Sequence, residues 1–88
     1  MQSISIQRKP DVLKQLGISA TTLHARIHTY KFPPPINLGG RAVGWLSSEV
    51  EAVIAAMAAG DQDYTLEQVV TLLIEKRATT LRGLFDGH

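Results

Sequence analysis

The stretch Lys31–Trp45, "KFPPPINLGGRAVGW", decides how this 88-residue chain folds. Proline cannot continue a helix, and it pushes the residue before it into extended geometry, so helical pattern stops at "FPPP". "INL" and "AVGWL" read as two short strands around "GGR", where glycine supplies the positive φ angles of a hairpin turn. Trp45, the single tryptophan, is the natural anchor for the hairpin, since one indole can join it to the second and third helices.

Upstream, "SISIQ" alternates polar and apolar residues as a short half-buried strand does. "KPDVLKQLG" reads as a short helix. Pro10 suits its first position, Asp11 suits the positive end of its dipole, and Gly17 provides a left-handed stop. Val12, Leu13 and Leu16 give it an inward face. In "ISATTLHARIHTY", Ser19 is a good N-cap, and Leu23, Ile27 and Tyr30 recur at i, i+4 and i+7 as a buried stripe. The opposite face then carries Thr21, Thr22, Ala25, His28 and Thr29, with His24 and Arg26 on its flanks. Two helices joined by a tight glycine-containing turn make a helix-turn-helix.

Downstream, Ser48 with Glu51 predicts a capping box opening a third helix. Its stripe is Val50, Val53, Ile54 and Met57, and Gly60 ends it. Thr65 with Gln68 repeats the pattern for a fourth helix with the stripe Leu66, Val69, Val70 and Leu73. The end, "ATTLRGLFDGH", is weakly patterned and is expected to fray. The expected fold is mainly α with a small β-hairpin. It is a winged helix-turn-helix over residues 1–60, with an extra C-terminal helix in 61–88 for packing or oligomerisation.

Composition fits one modest core, since a chain this size buries roughly 60–65% of the surface its unfolded form exposes. Hydrophobic residues are 44% and charged residues 19%, as in a folded rather than a disordered domain. There is no cysteine, which excludes disulfides and thiolate zinc sites. No apolar run reaches the roughly 18 residues that span a bilayer, and "MQSISIQRK" lacks the apolar middle of a signal peptide, so a cytoplasmic location is expected. Residues 1–60 hold six lysines and arginines against three acids, and residues 61–88 hold three against five. The basic excess therefore belongs to the winged part.

A cation on a rigid loop beside an exposed helix suits the gripping of a duplex. The helix (20–30) would enter the major groove, and the wing (36–46) would place Arg41 on phosphate or in the minor groove. Threonine and histidine can hydrogen-bond bases or phosphates, so Thr21, Thr22, His24, Ala25, His28, Lys31 and Arg41 form the expected DNA-contacting set. Contact of both histidines with phosphate would strengthen binding below about pH 6.5, where imidazole gains charge. The spacing of His24 and His28 is also that of helical zinc ligands, but no glutamate stands between them and His88 is at the far end, so no metal is expected. Arg26 is expected to pair with Glu49 or Glu51. Neutralising about four phosphates gives a log–log salt slope of roughly −3.6 and modest single-site affinity, which suggests tandem sites or an oligomer.

No catalytic constellation is visible. "LGGR" is too short for a phosphate-cradling loop, no carboxylate pair is tied to a pocket, and no cofactor is implied. A non-enzyme is expected.

"VLKQLGISATTLHARIHTYKFPPPINLGGRAVGWLSSEVEAVI" resembles the AlpA family of small prophage and genomic-island regulators and excisionases. That family's fold is similar to the winged-helix domain of MerR-type proteins. The most specific matches are "KFPPPINLGGRAVGW" and "SEVEAVI". The resemblance implies double-stranded DNA binding, either activating transcription of an integrase or bending an attachment site for excision. A glycine is usual in the family just before "KFP", where this chain has Tyr30. More basic residues are usual in the second helix, where this chain has Ala20, His24 and Ala25. The competing expectation is a protein-interaction module that binds an integrase or polymerase without relevant DNA affinity. In either case, residues 61–88, including Leu81, Leu84 and Phe85, offer a surface for self-association or an integrase.

Overall fold

A computed structural model describes residues 5–60 and 63–86. In chain order the elements are β1 (Ile6–Gln7), α1 (Lys9–Leu16), α2 (Ala20–His28), β2 (Ile36–Gly39), β3 (Ala42–Leu46), α3 (Ser47–Ala59) and α4 (Leu66–Asp86). The expected mainly helical fold with a small sheet is present. Ser3, Ile4 and His88 lie outside the described residues, as do the side chains of Leu81, Leu84 and Phe85.

The two helices of the helix-turn-helix begin and end on local signals. Asp11 Oδ2 accepts from the Arg8 amide at 3.3 Å, and Gly17 closes α1 at φ 68° with its amide on the Leu13 carbonyl at 2.8 Å. Ser19 Oγ accepts from the Thr22 amide at 3.2 Å, satisfying one of the orphan donors of α2. Val12 and Leu23 carry the two helices into the core, with Leu13, Leu16 and Ile27 packed around them.

Tyr30 does not complete the buried stripe of α2. The helix ends at His28, Tyr30 takes φ 60°, and its side chain is 63% exposed. This left-handed residue reverses the chain, and Phe32 turns inward to fill the core position instead.

β2 and β3 form the antiparallel hairpin, with Ile36 opposite Gly44, Asn37 opposite Val43 and Gly39 opposite Ala42. β1 adds to the other edge of β3, pairing Ile6 with Leu46 and Gln7 with Trp45, so the wing is a three-stranded sheet in the order β1-β3-β2. Gly44 makes that third strand possible. A Cβ there would stand 2.6 Å from Ile6 Cγ2 and 3.0 Å from the Gln7 carbonyl oxygen.

Trp45 is buried, packs edge-on against Phe32 with centroids 6.1 Å apart, and donates Nε1–H to the Pro33 carbonyl at 2.9 Å. The buried cluster around it draws Val12 and Leu23 from the helix-turn-helix, Val50 and Val53 from α3, and Val70 from α4.

α3 starts one residue before the expected capping box. Leu46 is its N-cap without a side-chain bond, because the Ser47 amide is held by the Ser5 carbonyl at 2.9 Å and strand pairing sets where the helix begins. Met57, expected on the inward stripe, is exposed and receives Arg26 Nη1 at 3.6 Å on its sulfur. Arg26 therefore bridges α2 to α3 through Met57. Glu49 is bound instead by Arg77, which also donates from Nη2 to the Pro34 carbonyl at 2.9 Å. At 4% exposure Glu49 is a core carboxylate, and the bidentate guanidinium is what makes its burial tolerable.

The Thr65–Gln68 capping box is formed, with Thr65 N to Gln68 Oε1 at 2.9 Å and Gln68 N to Thr65 Oγ1 at 3.2 Å. α4 then runs 21 residues to Asp86, without the expected fraying from residue 78. Its sequence holds no proline, Ala, Leu, Glu, Lys and Arg favour helix, and Gly83 costs only a fraction of what proline would.

Candidate nucleic-acid interface

α2 presents Thr21, Thr22, His24, Ala25 and His28 to solvent along one helix, and all five are exposed. Lys31, in the segment leaving the helix, is exposed as well. Arg41 stands apart from them in sequence, exposed at the turn joining β2 to β3. The seven expected contact residues thus sit on three elements: the second helix, its exit and the hairpin tip.

That tip is shaped by its own chemistry. Gly39 and Gly40 take φ 105° and 56°, conformations that residues with a Cβ rarely adopt, and Asn37 Oδ1 accepts from the Gly39 amide at 2.8 Å. The strand behind it is bonded on both edges. Arg8 Nε donates to the Val43 carbonyl at 2.9 Å, tying β3 to the start of α1. Arg41 is therefore carried on a braced hairpin.

The hydroxyl groups of α2 are partly engaged. Thr22 Oγ1 accepts from Ser19 Oγ at 3.0 Å, and Thr29 Oγ1 bonds back to the Ala25 carbonyl at 3.0 Å. Among the described residues, Thr21 and His28 make no side-chain hydrogen bond.

Lys9 was not among the expected contact residues. Its Nζ lies 2.8 Å from His24 Nε2. An ammonium can only donate, so the ring nitrogen is the acceptor in this contact. The pair places a cation from α1 beside the outward face of α2. Fifteen residues separate the two in sequence, which hides the contact from any periodicity.

Electrostatics favour an anionic partner here. No aspartate or glutamate occurs between Asp11 and Glu49, a span that holds Lys14, Arg26, Lys31 and Arg41. Other acids stand elsewhere: Glu67 and Glu75 line a shallow, open face together with Leu72 of α4 and Tyr64 just before it. Apart from Asp11 in the first turn of α1, the helix-turn-helix and wing thus carry only cations among their charged groups, beside neutral polar ones, and suit phosphate and base edges. Among the described residues no three His, Asp or Glu side chains gather as metal ligands, and no helix is long and apolar enough to cross a membrane.

Residues 5–56, more than half of the chain, match the family described as the prophage CP4-57 regulatory protein (AlpA). The uncharacterized protein ORF88 of Enterobacteria phage P4 is 43% identical over 53 residues, which are 60% of this chain and 60% of that protein. The match therefore spans about 60% of that relative's length. No solved structure matches the chain.

Proposed function

Because the chain belongs to the AlpA family of prophage regulatory proteins, we propose that it is a small sequence-specific DNA-binding protein of a prophage or mobile element, acting as a transcriptional regulator or an excisionase. α2 and its exit, residues 20–30, lie in the major groove, and the wing, residues 36–46, places Arg41 on the adjacent backbone or in the minor groove. Thr21, Thr22, His24, Ala25 and His28 face the bases and nearby phosphates, and Lys31 meets phosphate. It performs no catalysis, and it works in the cytoplasm, where phage and host DNA are found.

The observation that carries this reading is the acid-free span from residue 12 to 48, folded so that an exposed helix face and a braced Arg41 tip both come from it. Residues 1–60 do the reading. Residues 61–88 serve association with a second copy or an integrase, for which Tyr64, just before α4, and Leu72, on that helix, 62% and 55% exposed, offer apolar contact.

Selection of bound duplexes from a random pool tests the proposal. A defined motif is expected, and Thr21→Ala with His28→Ala should relax it at particular positions. No enrichment even at low salt would contradict DNA reading and favour the protein-interaction role. An integrase gene beside this one would favour excision over transcriptional control.

A further inference from the structure

Tyr30 is the only non-glycine residue among those described with a positive φ, at 60°. It closes α2 in the manner of a Schellman motif. The Lys31 amide bonds the Arg26 carbonyl at 2.8 Å, and the Tyr30 amide bonds the Ile27 carbonyl at 3.2 Å. The left-handed residue of such a cap is usually glycine, because a Cβ crowds the neighbouring backbone. Glycine indeed occupies this conformation at the end of α1, at Gly17.

A tyrosine here gains little within the protein. It is 63% exposed, and the inward position beyond the helix is filled by Phe32. An unfavourable backbone held by a residue whose ring gains little burial points to a use outside the chain. The surroundings say which. Residues 28–31 are all exposed, His28 is on the outward face of α2, and Lys31 follows immediately.

We infer that Tyr30 contacts duplex DNA directly, with its phenol against the sugar–phosphate backbone where the chain leaves the groove. This rests on the DNA-binding reading above and adds a contact to it. Tyrosine hydroxyls are among the usual phosphate donors, and the ring covers the sugar edge. The left-handed turn fixes the ring's exit from the helix, so the contact is preorganised.

The test pairs folding with binding, using the full chain and the duplex recovered by selection. Tyr30→Gly relieves the backbone and should raise the melting midpoint by roughly 3–6 °C. It should also weaken binding about tenfold, within the range a few lost backbone contacts produce. Tyr30→Asn keeps a residue that tolerates the left-handed conformation, so it controls for loosening of the turn and should lose a similar factor. The salt slope should stay at the wild-type value in both, since no charge is removed. Wild-type affinity in both variants, or in Tyr30→Asn alone, overturns the assignment while leaving the DNA reading intact. A wild-type chain that recovers no duplex overturns both.

Discussion

Arg77, in the middle of α4, clasps Glu49 near the start of α3 from two nitrogens: Nη2 lies 2.6 Å from Oε1 and Nε lies 2.9 Å from Oε2. The same guanidinium holds the Pro34 carbonyl, so one side chain fastens the C-terminal helix to α3 and to the proline segment that launches the wing. The C-terminal helix is thus a brace for the winged part, apart from any partner it engages.

Removing Arg77 strands a carboxylate in the core. Arg77→Ala should destabilise the fold by about 3 kcal/mol, a figure at the lower end for breaking a buried pair because the arginine is partly solvated. In a domain this size that lowers the melting midpoint by roughly 12–24 °C. Thermal melts of Arg77→Ala and of the apolar pair Glu49→Leu with Arg77→Met distinguish causes. The double variant should recover most of the loss, because no buried charge is left unpaired.

The indole of Trp45 offers a second check. Trp45→Phe keeps a ring against Phe32 but leaves the buried Pro33 carbonyl without its donor. A loss of about 2–3 kcal/mol is expected, read from urea denaturation followed by circular dichroism, since the change removes the fluorophore.

Two glycines should respond to alanine with opposite signs. Gly44→Ala drives a methyl into Ile6 and the Gln7 carbonyl, and should cost about 2 kcal/mol by overpacking. Gly83, inside α4 with nothing within 4 Å of an added Cβ, should gain roughly 0.5–1 kcal/mol from the same substitution. Equal effects at the two sites would mean that β1 does not lie on β3 as described.

What the sequence made legible was local. Ser19, the Thr65–Gln68 box, Gly17 and the proline–glycine hairpin signal each act within a few residues, and each appears where its spacing placed it. What it hid was non-local. Lys9 meets His24 across fifteen positions, Arg77 meets Glu49 across twenty-eight, and β1 reaches β3 from nearly forty residues away. Tyr30 misled because a hydrophobic stripe can be extrapolated past the point where backbone geometry ends the helix. Ser48 misled because strand pairing through Ser5 and Ser47, absent from any local pattern, fixes the start of α3. Gly44, a glycine inside a strand, was the one visible sign that another backbone passes close by.

Arg41 is the residue on which the proposed function turns, because it is the exposed cation at the tip of the β2–β3 hairpin. The most direct measurement is a salt titration of binding to the selected duplex, wild type against Arg41→Ala. The account predicts a wild-type log–log slope of roughly −3.6, from about four phosphate contacts, and a slope shallower by roughly 0.9 in Arg41→Ala together with weaker binding. Equal slopes and equal affinities in the two proteins would contradict it, and would make the wing a scaffold instead of a DNA contact.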